Sequence, residues 1–207
     1  MSEPPTSPAP EQGAEAPWHA PSRVPWACVL AGGASRRFGA DKALADAGNG
    51  VPRAVEVARR FAGPRVFAVA REAGAFDAWG LSSVTDPPGH RGAGPLAGLL
   101  AGLRHRRSEA GPGWLLVLAC DGLALEPAWL DLLPEPASSP ASVFREADPP
   151  RRFHPLPGRY HTDLIPALEA ALTRGERSFQ RLLAGVPTHD VPPPPGLIAA
   201  AAAGNTP

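Results

Sequence analysis

Unbroken apolar runs and segments of helical hydrophobic period take turns along this chain. Trp26-Ala-Cys-Val-Leu30, Arg65-Val-Phe-Ala-Val-Ala70, Leu81 to Thr85 and Trp114-Leu-Leu-Val-Leu-Ala119 have the length and boundaries of buried strands. Between the first two, Val51, Ala54, Val55, Ala58 and Phe61 recur at helical spacing, with Gly63 placed as a stop. Glu72 to Trp79 is a short helix candidate. From Gly94 to Leu103, Pro95 suits a first helical turn and Leu96, Leu99, Leu100 and Leu103 form one apolar stripe. Gly98 and Gly102 let this helix approach a neighbour closely, and Arg104, Arg106 and Arg107 close it with favourable positive charge. Later, Ala141 to Phe144 suggests another strand. Asp163 to Arg174 suggests a helix carrying Ile165, Leu168 and Leu172, and Ser178 to Ala184 a shorter one between a serine cap and Gly185. The alternation from Trp26 to Leu133 predicts an α/β fold, a three-layer sandwich with a mostly parallel, Rossmann-like sheet covered on both faces.

Composition trims the ends of this picture. Of 28 prolines, seven fall between Pro4 and Pro25 and five between Pro187 and Pro195. Residues 1–24 mix Pro, Ala, Glu and Ser without periodicity and predict a disordered tail, because such a stretch buries too little apolar surface to offset its ordering entropy. Residues 25–190 then form the domain, and 191–207 a low-complexity, peripheral segment. Lys+Arg equals Asp+Glu at 20 each, so no global field points to nucleic acid or an anionic membrane. Without an apolar leader or a long apolar span, a cytoplasmic protein is expected. Cys28 and Cys120 sit in apolar runs and are expected to be reduced, buried small hydrophobes.

Three places carry candidate chemistry. Leu30-Ala-Gly-Gly-Ala-Ser-Arg-Arg-Phe-Gly-Ala-Asp-Lys42 runs from a strand into Gly32 and Gly33, then offers Arg36, Arg37 and Lys42. Backbone N–H groups and fixed cations of this kind replace the water that a phosphate loses on binding, although a tight turn with solvated arginines has the same composition. The loop is neither a Walker A nor a G-x-G-x-x-G. Asp121 follows the strand ending at Ala119, where open α/β sheets bind ligands. One such carboxylate plus substrate phosphates suffices for Mg²⁺, while a helix cap before Pro127 is the plainer alternative. Asp86 is a similar carboxylate before Gly89-His-Arg-Gly92. The six histidines lack metal-ligand spacing, and the absence of G-x-S-x-G and C-x-x-C disfavours serine hydrolase and dithiol chemistry.

Together, Leu30–Lys42, Gly94-Pro-Leu-Ala-Gly98 and Cys120-Asp121 resemble the molybdenum cofactor guanylyltransferase family in wording, order and interval. Pro155-Leu-Pro-Gly-Arg-Tyr160 and Gly175-Glu-Arg-Ser-Phe-Gln-Arg-Leu-Leu183 are similar to its later segments. The resemblance implies a fold of the nucleotide-diphospho-sugar transferase type. It also implies a nucleotide site at Leu30, Ala31, Gly32, Gly33, Lys42, Asp86 and Asp121, with Asp121 holding Mg²⁺. Arg37, Lys42 and Asp121 become the catalytic set. The implied substrates are GTP and molybdopterin cofactor, joined with loss of pyrophosphate, and transient contact with molybdoenzyme maturation proteins follows from that chemistry. The chain departs from the family pattern at Phe67-Ala-Val-Ala-Arg71, where an asparagine is usual, and at Gly122-Leu123, where Met/Thr-Pro is usual. The family's late N-x-N-T-P-E-D-L is matched only by Gly204-Asn-Thr-Pro207. Guanylyl transfer, cytidylyl or other nucleotidyl transfer to another phosphate acceptor, and a non-catalytic nucleotide-binding relative therefore all stand at this point.

Overall fold

The computed structural model describes residues 26–32, 42–61 and 65–203. Four short parallel strands carry the first half: β1 (Ala27–Leu30), β2 (Val66–Ala70), β3 (Ser83–Thr85) and β4 (Trp114–Ala119). Three more follow, β5 (Ala141–Arg145), β6 (Phe153–His161) and β7 (His189–Val191), giving one sheet in the order β3-β2-β1-β4-β6-β5-β7. Only β6 runs against its neighbours, pairing antiparallel with both β4 and β5. The expected α/β architecture with a mostly parallel sheet is what the chain forms.

Two apolar layers hold the helices to the sheet. On one face α2 (Pro95–Ala110), α3 (Ile165–Thr173) and α4 (Phe179–Ala184) cover Cys28, Phe67, Val69, Leu115, Val117 and Tyr160. On the other, α1 (Arg53–Phe61) and α5 (Leu197–Ala203) cover Val29, Ala68, Leu116, Leu118 and Phe144. The two glycines of α2 bring it down onto the strands. A Cβ on Gly102 would stand 3.1 Å from Cys28 Sγ, and one on Gly98 would stand 3.2 Å from Leu30 Cδ2. Burial of Cys28 pushes its thiol far above the ordinary range, leaving it an inert part of the core.

Several local expectations change. Glu72–Trp79 gives only a 3₁₀ turn at Asp77–Trp79, stopped by Gly80 in the left-handed region. Gly74, also at positive φ, interrupts any longer helix there. Helix α2 runs on to Ala110, so Arg104 and Arg106 lie within it rather than closing it. Arg104 pairs with Glu169, and Arg106 folds back onto the Trp26 ring and the carbonyl of Gly111. Strand β6 was not foreseen, because Pro155, Pro157 and Gly158 break the apolar pattern. The Pro-rich stretch from 192 leads into α5, whose Leu197 is buried and which packs on the turn after Asp121. Among the described residues, no helix is long and apolar enough to cross a membrane. The 1–24 tail lies outside the described residues.

Candidate active site

Each parallel strand releases the chain at the same edge of the sheet, and the residues just beyond meet there. After β1 the backbone stays tied to β2, with the Ala31 N–H donating to the Val69 carbonyl at 2.7 Å. A Cβ on Gly32 would lie 3.6 to 3.8 Å from the backbone of Val69 to Arg71, so Leu30, Ala31 and Gly32 form a backbone floor against the end of β2. Gly33 and Arg37 lie outside the described residues. Lys42 returns the chain to the edge, and its Nζ donates to Asp121 Oδ2 at 3.1 Å, with side chains only 11% and 24% exposed. That contact spans a sequence separation of 79 residues, so the fold alone creates it.

Asp121 stands at the start of a short 3₁₀ turn, Gly122–Ala124, yet its carboxylate accepts no capping bond from that turn. The later turn from Pro127 begins at Glu126. The cap before Pro127 therefore fails, and the carboxylate faces Lys42 instead. The turn itself is braced from behind, with Arg60 Nη1 donating to the Leu123 carbonyl at 2.7 Å and α5 packed beside it.

Asp86 follows β3, half-buried beneath the start of α2. Its Oδ2 accepts from the Gly92 N–H at 3.1 Å, and its Oδ1 lies 3.9 Å from where a Gly98 Cβ would be. Burial raises its pKa above the ordinary carboxylate value, and the Gly92 bond opposes that shift. A carboxylate with one protein donor keeps acceptor capacity for an incoming N–H or O–H group. Helix α2 begins at Pro95 after Gly94, with no side-chain cap, so its positive end opens on the same edge. Among the described residues, no group of three His, Cys, Asp or Glu could hold a metal ion. Asp121 suits a divalent cation only with phosphate oxygens as further ligands.

The structure thus gathers Leu30, Ala31, Gly32, Lys42, Asp86 and Asp121 at one edge. Sequence reasoning missed what stands beside them. Arg177 lies against the Gly92–Gly94 loop, where its Nη1 donates to the Gly92 carbonyl at 3.4 Å. The segment 175–183 had a motif but no partner in the linear sequence. A cavity of about 510 Å³ between α3 and α4, lined by Ala170, Arg174, Leu182 and Val186, includes none of the gathered edge residues. Chemistry, not concavity, marks the site.

A sheet of this topology, with a lysine–aspartate pair and a second carboxylate at its carboxyl edge, has the arrangement of an α/β nucleotidyltransferase. The family profile described as the MobA-like NTP transferase domain matches residues 27–191. A probable molybdenum cofactor guanylyltransferase from Opitutus terrae is 39% identical over 161 residues, covering 76% of this chain and 77% of that protein. The crystal structure of molybdopterin-guanine dinucleotide biosynthesis protein A from Archaeoglobus fulgidus superposes with a TM-score of 0.65 at 24% identity, over 80% of this chain and 82% of that one. 2-C-methyl-D-erythritol 4-phosphate cytidylyltransferase from Thermus thermophilus gives 0.51 at 18%, over 88% and 99%. At those identities the two structures speak to fold alone. The chain belongs to the molybdenum cofactor guanylyltransferase family of MobA-like nucleotidyltransferases.

Proposed function

We propose that this enzyme transfers GMP from GTP to the terminal phosphate of molybdopterin cofactor. The reading is carried by one observation: Leu30–Gly32, Lys42, Asp86 and Asp121 converge on a single edge, and these are the positions to which the family resemblance assigns nucleotide and metal contacts. A phosphate oxygen of the acceptor attacks the α-phosphorus of GTP. The bond from that phosphorus to the bridging oxygen breaks, and its electron pair leaves with pyrophosphate.

The chain contributes position and charge. Leu30 to Gly32 form the floor under the nucleotide. Asp86 accepts from the nucleoside. Lys42 turns its ammonium from Asp121 to the phosphates, and Arg37 in the same loop adds a second cation. Asp121 together with phosphate oxygens would hold Mg²⁺, which when bound neutralises charge on the transferring group.

The test is affinity for GTP, CTP, ATP and UTP with and without Mg²⁺, followed by turnover with molybdopterin cofactor. GTP should bind best and only with full strength when Mg²⁺ is present. Preference for CTP would transfer the reading to cytidylyl transfer, and equal affinity for all four would remove the base assignment. Absence of any nucleotide binding would overturn the proposal as a whole.

A further inference from the structure

Strand β6 begins without a full set of backbone partners. Its ladder with β4 stops at the Val117–Gly158 pair, and its ladder with β5 shifts register between Val143 and Phe144 before resuming at His154 and Phe153. Three residues, Pro155 to Pro157, bulge out in between. On the side facing α4, the Gln180 carboxamide takes the place of a strand. The Phe153 N–H donates to Gln180 Oε1 at 3.0 Å, and Gln180 Nε2 donates to the Phe153 carbonyl at 2.6 Å. Such a two-point contact fixes position and orientation together, as adjacent strands do.

The same segment reaches the nucleoside side of the edge. Glu176 Oε1 accepts from the N–H groups of Ser178 and Arg177, both at 2.8 Å, and those bonds hold its carboxyl below the ordinary range. This makes residues 175–178 a stiff turn. Arg177 then meets the Gly92 carbonyl, and the Gly92 N–H meets Asp86. A continuous chain of contacts therefore runs from Phe153 through Gln180, the turn and Gly92 to Asp86.

We infer that Gln180 is a positioning residue, which couples the start of β6 to the Asp86 loop through the turn at 175–178. The inference rests on the proposed nucleoside role of Asp86 for its effect on binding, though not for its effect on the loop. Gln180 touches no proposed substrate atom, and its residue is largely exposed.

The experiment compares wild type with Gln180→Leu and Gln180→Glu by amide hydrogen exchange, GTP affinity and melting temperature. Gln180→Leu removes both bonds. It should speed exchange at Phe153 and at Gly92 by about fivefold to tenfold, the scale of one or two neutral hydrogen bonds, while amides in the middle of α2 are unchanged. GTP affinity should fall about threefold to tenfold. Gln180→Glu keeps the acceptor for Phe153 and should fall between. Faster exchange at Phe153 alone, with Gly92 and GTP affinity unmoved, would overturn the inference and reduce Gln180 to a local strut. If wild-type protein binds no nucleotide, the nucleotide reading falls, and the Gly92 amide by itself decides the coupling. Should Gln180→Leu lower the melting temperature sharply, Gln180→Glu and the Gly92 amide give the same decision.

Discussion

The region from β1 to β4 and the region from β5 onward share one sheet edge but use their polar groups differently. In the first, every strand points the same way, and the exits of β1, β3 and β4 place the Leu30–Gly32 backbone, Asp86 and Asp121 at the edge. These groups keep unused capacity. Among the described residues Asp86 has one hydrogen-bond donor, and its pKa is raised, while Asp121 caps neither following turn. In the second region, reversal of β6 delivers His161 to the far edge, and charges are spent on each other. Arg145 pairs with Asp190 at 2.7 Å and Arg159 with Glu135 at 2.5 Å. Changes at the edge groups of the first region should therefore strike chemistry, and changes at the ion pairs and tightly packed backbone of the second should strike folding.

The sharpest attempt to break that division is Asp121→Asn. Turnover should drop on the order of a hundredfold or more, as for loss of one major electrostatic stabiliser, with little change in melting temperature. An unfolded variant would erase the distinction. In the second region the counterpart is Gly158→Ala, whose Cβ would lie 2.5 Å from the Pro155 carbonyl and 2.9 Å from Tyr160 Cε2. Backbone cannot yield cheaply, so stability should fall by roughly 1–3 kcal/mol, read by denaturant titration, while the folded fraction still binds GTP normally.

Asp86 separates the two currencies within one residue. Its folded pKa is raised, so the ionised carboxylate costs stability above that value, and the cost disappears as pH falls through it. If Asp86 accepts from the nucleoside as proposed, GTP binding should weaken on acidification, starting above the ordinary carboxylate range. Asp86→Asn should weaken GTP binding about tenfold near neutral pH and flatten this acid limb in a calorimetric titration. A variant that retains the acid limb would place the titration elsewhere. The smallest effect belongs to Arg104→Ala. The Arg104–Glu169 pair is 48% and 42% exposed, and thermal unfolding should register at most about 1 kcal/mol, with activity unchanged.

The parallel half was legible because strand and helix periods there are uninterrupted, and ligand groups fall where such strands end. Lys42 and Asp121 were both visible as candidates, but their contact was not, since 79 residues separate them and only the crossover through α1, β2 and α2 brings them together. Strand β6 hid behind its prolines. What allows it is long-range: β4 and β5 on either side, and the Gln180 carboxamide at its start. Helix α5 looked like low-complexity filler because Ala199 to Ala203 carry no period. A single anchor, Leu197, gives it a place, with Gly196 at positive φ turning the chain beside Trp129. The Glu72–Trp79 helix failed for the opposite reason, as local glycines overruled an acceptable composition.

The ion pair between Lys42 and Asp121 has a consequence for how the site is loaded. With its cation and its anion resting on each other, the pair would, on the proposed function, stand in for both halves of a metal–triphosphate complex. Entry of that complex is then a swap of partners: the ammonium passes from carboxylate to phosphate as the carboxylate passes from ammonium to metal. On the proposed function each half of the swap supports the other, because the carboxylate gains a metal as the ammonium gains a phosphate, in a site largely screened from water. Metal and nucleotide should therefore enter as a unit: free Mn²⁺ added without nucleotide should leave its paramagnetic resonance signal unchanged, and addition of GTP should bring about its uptake in wild type but not in Asp121→Asn.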